Sequence, residues 1–355
     1  MTLEDLGYTP DLENFRNEQN LDAFAVGRVI SEHRERYIVK TDKEEFDAEL
    51  IGKIRFTAES RHDFPAVGDW VAISEFDEHK ALIHAIYPRS SIIERQAVGK
   101  VAQKQIIATN IDVGLIVQAV DRDFNVNRLE RYLTICHAAK VMPVIILSKI
   151  DLIEKEELAT ILELVAERIQ GIPIITVSNQ TPEGYNEIAT LIETGKTYCL
   201  LGSSGVGKST LLNHLSGKEL MKTGAISDSV KKGKHVTSHR ELIVLDNGGI
   251  LIDNPGMREV GIADAASGLE LTFDAIIELS QQCKYNDCTH LNEAGCAILE
   301  ALENGEIDED AYANYQKMEK EKWHFETSVH EKRKRNKAFG KLMKSVIKSK
   351  KESKY

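Results

Sequence analysis

A glycine-rich segment near the middle of the chain matches the phosphate-binding pattern GxxxxGK[ST]. Its glycines allow consecutive backbone N–H groups to converge on phosphate oxygens. Lys208 follows them and can neutralise the β- and γ-phosphates in catalysis, and the hydroxyl of Ser209 can ligate Mg²⁺. The residues predicted to contact the nucleotide here are Gly202, Ser203, Ser204, Gly205, Val206, Gly207, Lys208, Ser209 and Thr210.

A DxxG sequence, which GTPases use to sense the γ-phosphate, follows at residues 253–256. Asp253 ends a predicted strand, and its carboxylate would hold Mg²⁺ through water. The N–H of Gly256 would bind the γ-phosphate. Both residues are therefore predicted to bind nucleotide.

A polar loop at residues 233–239 lies between these two motifs, where the first switch of a GTPase should be. Thr237 is the first candidate for the Mg²⁺-binding hydroxyl and a catalytic residue, with Ser238 as the alternative. Met257 stands where Ras-like enzymes place the glutamine that orients the attacking water, so we expect slow intrinsic hydrolysis. His235 is the predicted replacement, because an imidazole can accept from water near neutral pH; the alternative is a surface histidine.

The tetrad at residues 148–151 has the pattern of a guanine-reading motif. Asp151 can accept hydrogen bonds from the N1–H and the exocyclic amine of guanine, and the Lys149 stem can cover the base. Ser148 replaces the usual asparagine and has fewer groups to offer. After the next predicted strand, Ser178 and Asn179 could give backbone contacts to the base oxygen.

The order of these motifs is unusual. The guanine-reading tetrad precedes the phosphate loop and the DxxG sequence, although in ordinary GTPases it comes last. The sequence therefore predicts a circularly permuted GTPase that binds GTP and GDP with Mg²⁺.

A cluster of cysteines and a histidine near the C-terminus has the spacing C-x4-C-x-H-x5-C. Three thiolates and an imidazole would complete a closed tetrahedral shell, which predicts one structural Zn²⁺ per chain. The predicted ligands are Cys283, Cys288, His290 and Cys296. The remaining cysteines lie in apolar stretches and are expected in the core; they are Cys136 and Cys199.

The elements that must position these residues fall into three patterns. Five short alternating segments between residues 23 and 95 predict a small β-barrel, with an OB-fold as the leading candidate and an SH3-like barrel as the alternative. Residues 1–20 are polar and acidic, which predicts a loosely held arm.

From Ile111 onward strands and helices alternate, which predicts a doubly wound, mostly parallel sheet with ligands at the carboxyl ends of its strands. After Gly261 the pattern becomes helical, with one helix predicted at Leu269–Cys283 and others near residues 297–303 and 310–325.

Composition and charge limit the class of protein. The hydrophobic fraction of 42% is ordinary for a globular chain, no apolar run approaches a membrane span, and the N-terminus is unlike a signal peptide. We therefore expect a cytoplasmic protein. The net charge is −11, yet residues 316–355 carry 14 Lys and Arg against 5 Asp and Glu. This basic tail predicts a polyanionic partner, with a solvated charged helix as the alternative.

Taken together, these motifs resemble the RsgA family, also called YjeQ or YloQ. The resemblance also rests on Gly68-Asp69-Trp70-Val71 in the barrel, on the first-switch sequence and on Asp-x-Pro-Gly-x-Arg at residues 253–258. It implies a circularly permuted GTPase that assists late maturation of the bacterial small ribosomal subunit and docks on ribosomal RNA. The family also points to His235 as the catalytic group. Departures from the family pattern are Ser148 and Val236.

The predicted organisation is a multidomain α/β chain that acts as a monomer. It comprises an N-terminal arm at 1–21, an OB-fold RNA-binding domain at 22–95, the permuted GTPase at 96–262, a helical zinc-binding domain at 263–327 and a basic tail at 328–355. Alternative functions are a non-hydrolysing, GTP-dependent RNA-binding scaffold and a specialised paralogue acting in translation.

Overall fold

The computed structural model describes residues 1–33, 36–96, 104–121, 124–178, 180–217, 241–253 and 266–324. Several predicted functional residues lie outside this described part of the chain. They are Asn179, His235, Thr237, Ser238, Gly256, Met257 and the tail at 328–355.

The first domain is a closed five-stranded barrel. Its strands are β1 (Ala25–His33), β2 (Arg36–Lys40), β3 (Glu45–Leu50), β4 (Trp70–Asp77) and β5 (Lys80–Ile86), and a short helix, α2 (Gly52–Thr57), follows β3. The strand order is β1-β2-β3-β5-β4, and pairing of β4 with β1 closes the barrel. Because β5 pairs parallel to β3, the barrel is not a simple meander and has the Greek-key order of an OB-fold. The OB-fold prediction is therefore confirmed.

The N-terminal segment is packed against the barrel, so the prediction of a loosely held arm is wrong. Helix α1 (Pro10–Glu18) follows Leu6, which is fully buried, and Tyr8, whose ring lies 5.0 Å from that of Trp70. The buried Arg28 guanidinium donates to the Leu6 carbonyl oxygen at 2.6 Å. The few apolar residues of this acidic stretch find their partners in the barrel, which its composition does not reveal.

A hairpin that was not predicted from the sequence connects the barrel to the next domain. It consists of β6 (Ile92–Gln96) and β7 (Lys104–Thr109), paired antiparallel.

The Gly68–Asp69 pair holds the barrel to this hairpin. Gly68 has φ +98°, and a Cβ there would lie 2.2 Å from the Thr109 carbonyl oxygen, so only glycine fits. The fully buried Asp69 carboxylate accepts from the Thr109 hydroxyl at 2.6 Å and from two nitrogens of Arg89 at 2.6 and 2.8 Å. A satisfied buried ion pair thus fixes the junction.

The central domain is a six-stranded sheet in the order β10-β9-β8-β11-β13-β12. The strands are β8 (Val113–Ala119), β9 (Met142–Ser148), β10 (Ile174–Val177), β11 (Thr197–Leu201), β12 (Glu241–Val244) and β13 (Ile250–Asp253). All pair parallel except β12, which runs antiparallel to β13 and touches β1 of the barrel through one residue pair.

Helices cover both faces of this sheet, which confirms the doubly wound architecture. They are α3 (Val126–Ala138), α4 (Lys155–Arg168), α5 (Tyr185–Leu191) and α6 (Lys208–Ser216). Leu133 of α3 and Val165 of α4 belong to one buried cluster, and Ile188 of α5 and Leu211 of α6 belong to the other. Cys136 and Cys199 are fully buried, as predicted.

The C-terminal domain is helical, with its own buried cluster. Its helices are α7 (Ala266–Thr272), α8 (Asp274–Ser280), α9 (Ala297–Glu303) and α10, which covers residues 309–324. The single helix predicted at 269–283 is wrong, because the backbone leaves the helical conformation at Phe273 (φ −121°, ψ 41°). The Phe273 side chain is buried in the domain core, and tertiary packing overrides the helical pattern here.

This domain is fastened to α3 of the central domain. Asn314 of α10 donates to a carboxylate oxygen of buried Glu130 at 2.6 Å, and Arg168 of α4 donates to the same carboxylate at 2.8 Å. Arg131 and Glu321 form a bidentate pair at 2.7 and 2.8 Å.

Among the described residues, no helix is both long and apolar enough to cross a membrane.

Candidate functional site

The phosphate loop lies between β11 and α6, at the carboxyl edge of the central sheet. Gly202, Gly205 and Gly207 have φ values of +142°, +86° and +98°, which L side chains rarely adopt. A Cβ at Gly202 would lie 2.2 Å from the Val117 carbonyl oxygen. Glycine conformations therefore shape a loop whose N–H groups can face an anion, and the N-terminus of α6 follows directly.

Lys208 lies back across this loop. Its Nζ donates to the carbonyl oxygens of Gly202 and Ser203 at 2.7 and 2.6 Å, and the residue is only 9% exposed. Burial lowers the pKa of Lys208 to about 8, and the negative charge of Asp253 opposes this shift. A bound phosphate would favour the charged ammonium. Ser209, in the first turn of α6, is exposed and accessible to a ligand.

Asp253 lies at the carboxyl end of β13, the strand next to β11. It is buried, and its charge acts on Lys208. The parallel pairing of the two strands thus brings the first residue of the DxxG sequence to the phosphate loop, as the sequence predicts. Carboxylate and hydroxyl oxygens are the ligands that Mg²⁺ prefers, so Asp253 and Ser209 fit that ion.

The guanine-reading tetrad lies on the other side of the loop, at the end of β9. The Ser148 hydroxyl donates to the Val206 carbonyl oxygen at 2.5 Å, across 58 residues of sequence. Ser178, just after β10, donates its hydroxyl to Asp151 at 3.1 Å. Lys149 has φ +62° and its Nζ contacts Asp121 at 2.9 Å. The structure therefore brings the predicted base-reading and phosphate-binding residues together at one edge.

Three residues at this edge were not predicted from the sequence. Asp121 lies two residues after the end of β8, and a polar residue just after a buried parallel strand is a signal that could have found it. Tyr132 of α3 interacts with the Ser203 side chain, and burial raises the pKa of Tyr132. Tyr185 stacks on His214 with ring centroids 4.0 Å apart. The two tyrosine contacts join separate elements and have no local signature.

The predicted zinc ligands converge in the loop between α8 and α9. One ligand atom from each of Cys283, Cys288, His290 and Cys296 lies within 4.8 Å of all the others. The Nδ1 atom of His290 is 3.5 Å from the sulfurs of both Cys283 and Cys296. This set of three thiols and an imidazole could hold a metal ion in a closed shell.

Glu293 organises the turn that carries His290. Its carboxylate accepts from the Thr289 hydroxyl and from the N–H groups of Thr289, Leu291 and Asn292. These hydrogen bonds lower the pKa of Glu293 to about 2, and the bond from the Thr289 hydroxyl has the largest effect. The cluster is thus preorganised by a residue that the ligand spacing alone does not identify.

Comparison with known proteins agrees with this architecture. Residues 86–263 match the model of the RsgA GTPase family. The chain is 45% identical over 296 residues to small ribosomal subunit biogenesis GTPase RsgA 2 of Lactiplantibacillus plantarum, covering 83% of each chain. It is 38% identical over 326 residues to RsgA 1 of Bacteroides thetaiotaomicron, covering 91% of this chain and 90% of the relative.

Solved structures show the same fold. YjeQ from Thermotoga maritima superposes with a TM-score of 0.61 at 26% identity, covering 86% of this chain and 98% of that one. YloQ, a circularly permuted GTPase, superposes with a TM-score of 0.59 at 23% identity, covering 84% and 96%. With the phosphate loop and the permuted order of motifs, these similarities show that the chain belongs to the RsgA family and is a GTPase.

Proposed function

We propose that this GTPase acts in late maturation of the small ribosomal subunit and that the subunit stimulates its hydrolysis of GTP. The observation that carries the proposal is the convergence of the phosphate loop, Asp253 and the Ser148–Asp151 tetrad at one sheet edge in a permuted chain. The relatives named above carry small ribosomal subunit biogenesis in their names, which supports the choice of partner.

The proposed nucleotide site combines residues at the carboxyl edge of the central sheet with residues outside the described part of the chain. The loop from Gly202 to Thr210 holds the phosphates, and Asp151 binds the Watson–Crick edge of guanine, with Ser178 and Asn179 at the base oxygen. Ser209, Thr237 and Asp253 hold Mg²⁺, which supplies charge stabilisation at the phosphates when bound. The N–H of Gly256 binds the γ-phosphate.

The proposed hydrolytic step is attack of water on the γ-phosphorus, with cleavage of its bond to the β–γ bridging oxygen and release of GDP and phosphate. Met257 cannot orient that water, so we assign this role to His235 in the first switch. Lys208 and Thr237 stabilise the charge on the phosphates. The small subunit then accelerates turnover by ordering the switch around the nucleotide.

The proposed metal in the C-terminal domain is one structural Zn²⁺ per chain. Three sulfurs and one imidazole nitrogen fit its preference for soft ligands in a tetrahedral shell, and the four ligands leave no open position for catalysis.

Helix α3 gives a physical route from the nucleotide to the C-terminal domain. Tyr132 contacts the phosphate loop through Ser203, while the adjacent Glu130 and Arg131 bind α10. We propose that changes at the phosphates reach the ribosome-binding domains through this helix as well as through the DxxG sequence at residues 253–256.

We propose the domain boundaries as an OB-fold at 22–95, the GTPase at 96–262, a zinc domain at 263–327 and a basic tail at 328–355. The segment at 1–21 belongs with the barrel, because Leu6 and Tyr8 are buried against it. We further propose that the protein is a cytoplasmic monomer whose barrel and tail bind ribosomal RNA.

Truncation after Thr327 should weaken binding to the small subunit and reduce its salt dependence. The segment that this truncation removes, residues 328–355, carries 11 Lys and Arg against 2 Asp and Glu. The slope meant here is that of the logarithm of the binding constant against the logarithm of the salt concentration. Each basic side chain that no longer neutralises a phosphate should make this slope shallower by roughly one unit, because its counterion is no longer released. The measurement is the dissociation constant for purified small subunits over a series of KCl concentrations, with a non-hydrolysable GTP analogue bound.

The control is a full-length variant in which two exposed lysines outside the barrel and the tail, Lys140 and Lys155, are changed to glutamine, which should leave the slope unchanged. An unchanged slope after truncation would show that the tail is a solvated charged segment that does not bind RNA. Equal affinity for small and large subunits would contradict the proposed partner.

A further inference from the structure

Ser148 occupies the position at which the guanine-reading strand meets the phosphate loop. The residue is 1% exposed, and its hydroxyl donates to the Val206 carbonyl oxygen at 2.5 Å. Its backbone is held on both sides, because it pairs with Ala119 of β8 and Val177 of β10. The Cα of Ser148 is therefore fixed, and the short side chain can contact few other groups.

The chemistry of a hydroxyl limits what this residue can do for the base. Serine has a single hydrogen to donate, and here Val206 accepts it. The edge of guanine away from its Watson–Crick face presents N7 and O6, which are both acceptors. A hydroxyl whose hydrogen is already used offers only lone pairs to these atoms. Ser148 thus cannot donate to N7 while the bond to Val206 persists.

Breaking that bond would be unfavourable. If the hydroxyl turned toward the base, the Val206 carbonyl oxygen would lose the hydrogen bond from Ser148. Val206 is buried, so water would not readily replace that bond. An unsatisfied buried acceptor costs as much as the new hydrogen bond could return. The arrangement therefore favours the bond to the loop with or without nucleotide.

We propose that Ser148 is a positioning residue: its hydroxyl fixes the phosphate loop to the end of β9 and donates nothing to the base. This inference rests on the proposed guanine-nucleotide site and goes beyond it. Base recognition then depends on the carboxylate of Asp151, which Ser178 orients through its hydroxyl. The chain should accept a guanine nucleotide whose N7 is replaced by carbon.

The test compares the dissociation constants of GDP and 7-deaza-GDP. For the wild-type chain the two values should agree within about twofold, because no hydrogen bond from Ser148 is lost. Ser148→Ala should weaken both nucleotides by about tenfold and leave their ratio unchanged, since the loop loses its anchor. Thermal unfolding midpoints of the variants check that each is folded.

Ser148→Asn is the matched gain-of-function variant. An amide has two N–H groups, so it can bond to Val206 and to N7 at once, and discrimination against 7-deaza-GDP should rise to about tenfold. The proposal places residue 148 beside the N7 edge of the base, and no increase in discrimination would contradict that placement.

Discrimination by the wild-type chain that disappears in Ser148→Ala would show that Ser148 reads N7 and would overturn the proposal. Unchanged GDP affinity in Ser148→Ala would overturn the positioning role. Failure of the wild-type chain to bind any guanine nucleotide would refute the proposed function instead, so the two failures are distinguishable.

Discussion

Replacing Cys288 by serine should remove the bound zinc and unfold much of the C-terminal domain. Structural zinc sites contribute about 10–16 kcal/mol in isolated zinc-finger peptides, and loss of one thiolate should cost a large part of that. In the loop between α8 and α9 only Cys296 is buried, and the four ligands and the Glu293 turn hold the loop. We expect zinc content to fall from one per chain to near zero and amide hydrogens of α8 and α9 to exchange rapidly.

Cys136→Ser is the matched control, because Cys136 is a fully buried thiol outside the cluster. It should reduce stability through a polar group placed in the core and leave zinc stoichiometry at one. The central domain should still bind GDP in Cys288→Ser, since its sheet has a separate core. Elemental analysis showing no zinc in wild-type protein purified without chelators would refute the zinc assignment.

Replacing Asp151 by asparagine should change the preferred base from guanine to xanthine. The Asp151 carboxylate can accept two hydrogen bonds from guanine, and the amide presents a donor to one of them. Loss of one hydrogen bond to a charged group, with a donor facing a donor in its place, should weaken GDP binding by about 100-fold or more. Xanthine carries an oxygen in place of the exocyclic amine, so xanthosine diphosphate should bind better to this variant than GDP.

The measurement is competition between GDP and xanthosine diphosphate for wild-type and variant protein. Glu154→Gln is the control, because it removes an exposed carboxylate three residues away and should leave both affinities unchanged. If Asp151→Asn still bound GDP as tightly as the wild type, the placement of the base beside Asp151 would be wrong.

The parts of the site that could be predicted are those in which spacing along the chain fixes the chemistry. The phosphate loop needs its glycines and Lys208 in one short segment, and the metal cluster needs its four ligands within one loop. The parallel sheet was also predictable, because its buried strands are nearly continuous apolar runs. Such signals do not depend on distant parts of the fold.

What could not be predicted depends on contacts between distant segments. Leu6 and Tyr8 lie in an acidic stretch and are buried only because the barrel supplies partners. The helical pattern across Phe273 gives no sign that its ring enters the domain core and breaks the helix. Tyr132 reads as an ordinary helical residue until α3 is placed beside the phosphate loop.

The decisive test of the proposed function is GTP turnover by the full chain alone, with purified small ribosomal subunits and with purified large subunits. We predict slow turnover alone, a large stimulation by small subunits only, and loss of most of that stimulation in His235→Ala with GTP binding retained. Turnover that small subunits leave unchanged, despite tight GTP binding, would contradict the proposed function and favour a non-hydrolysing RNA-binding scaffold.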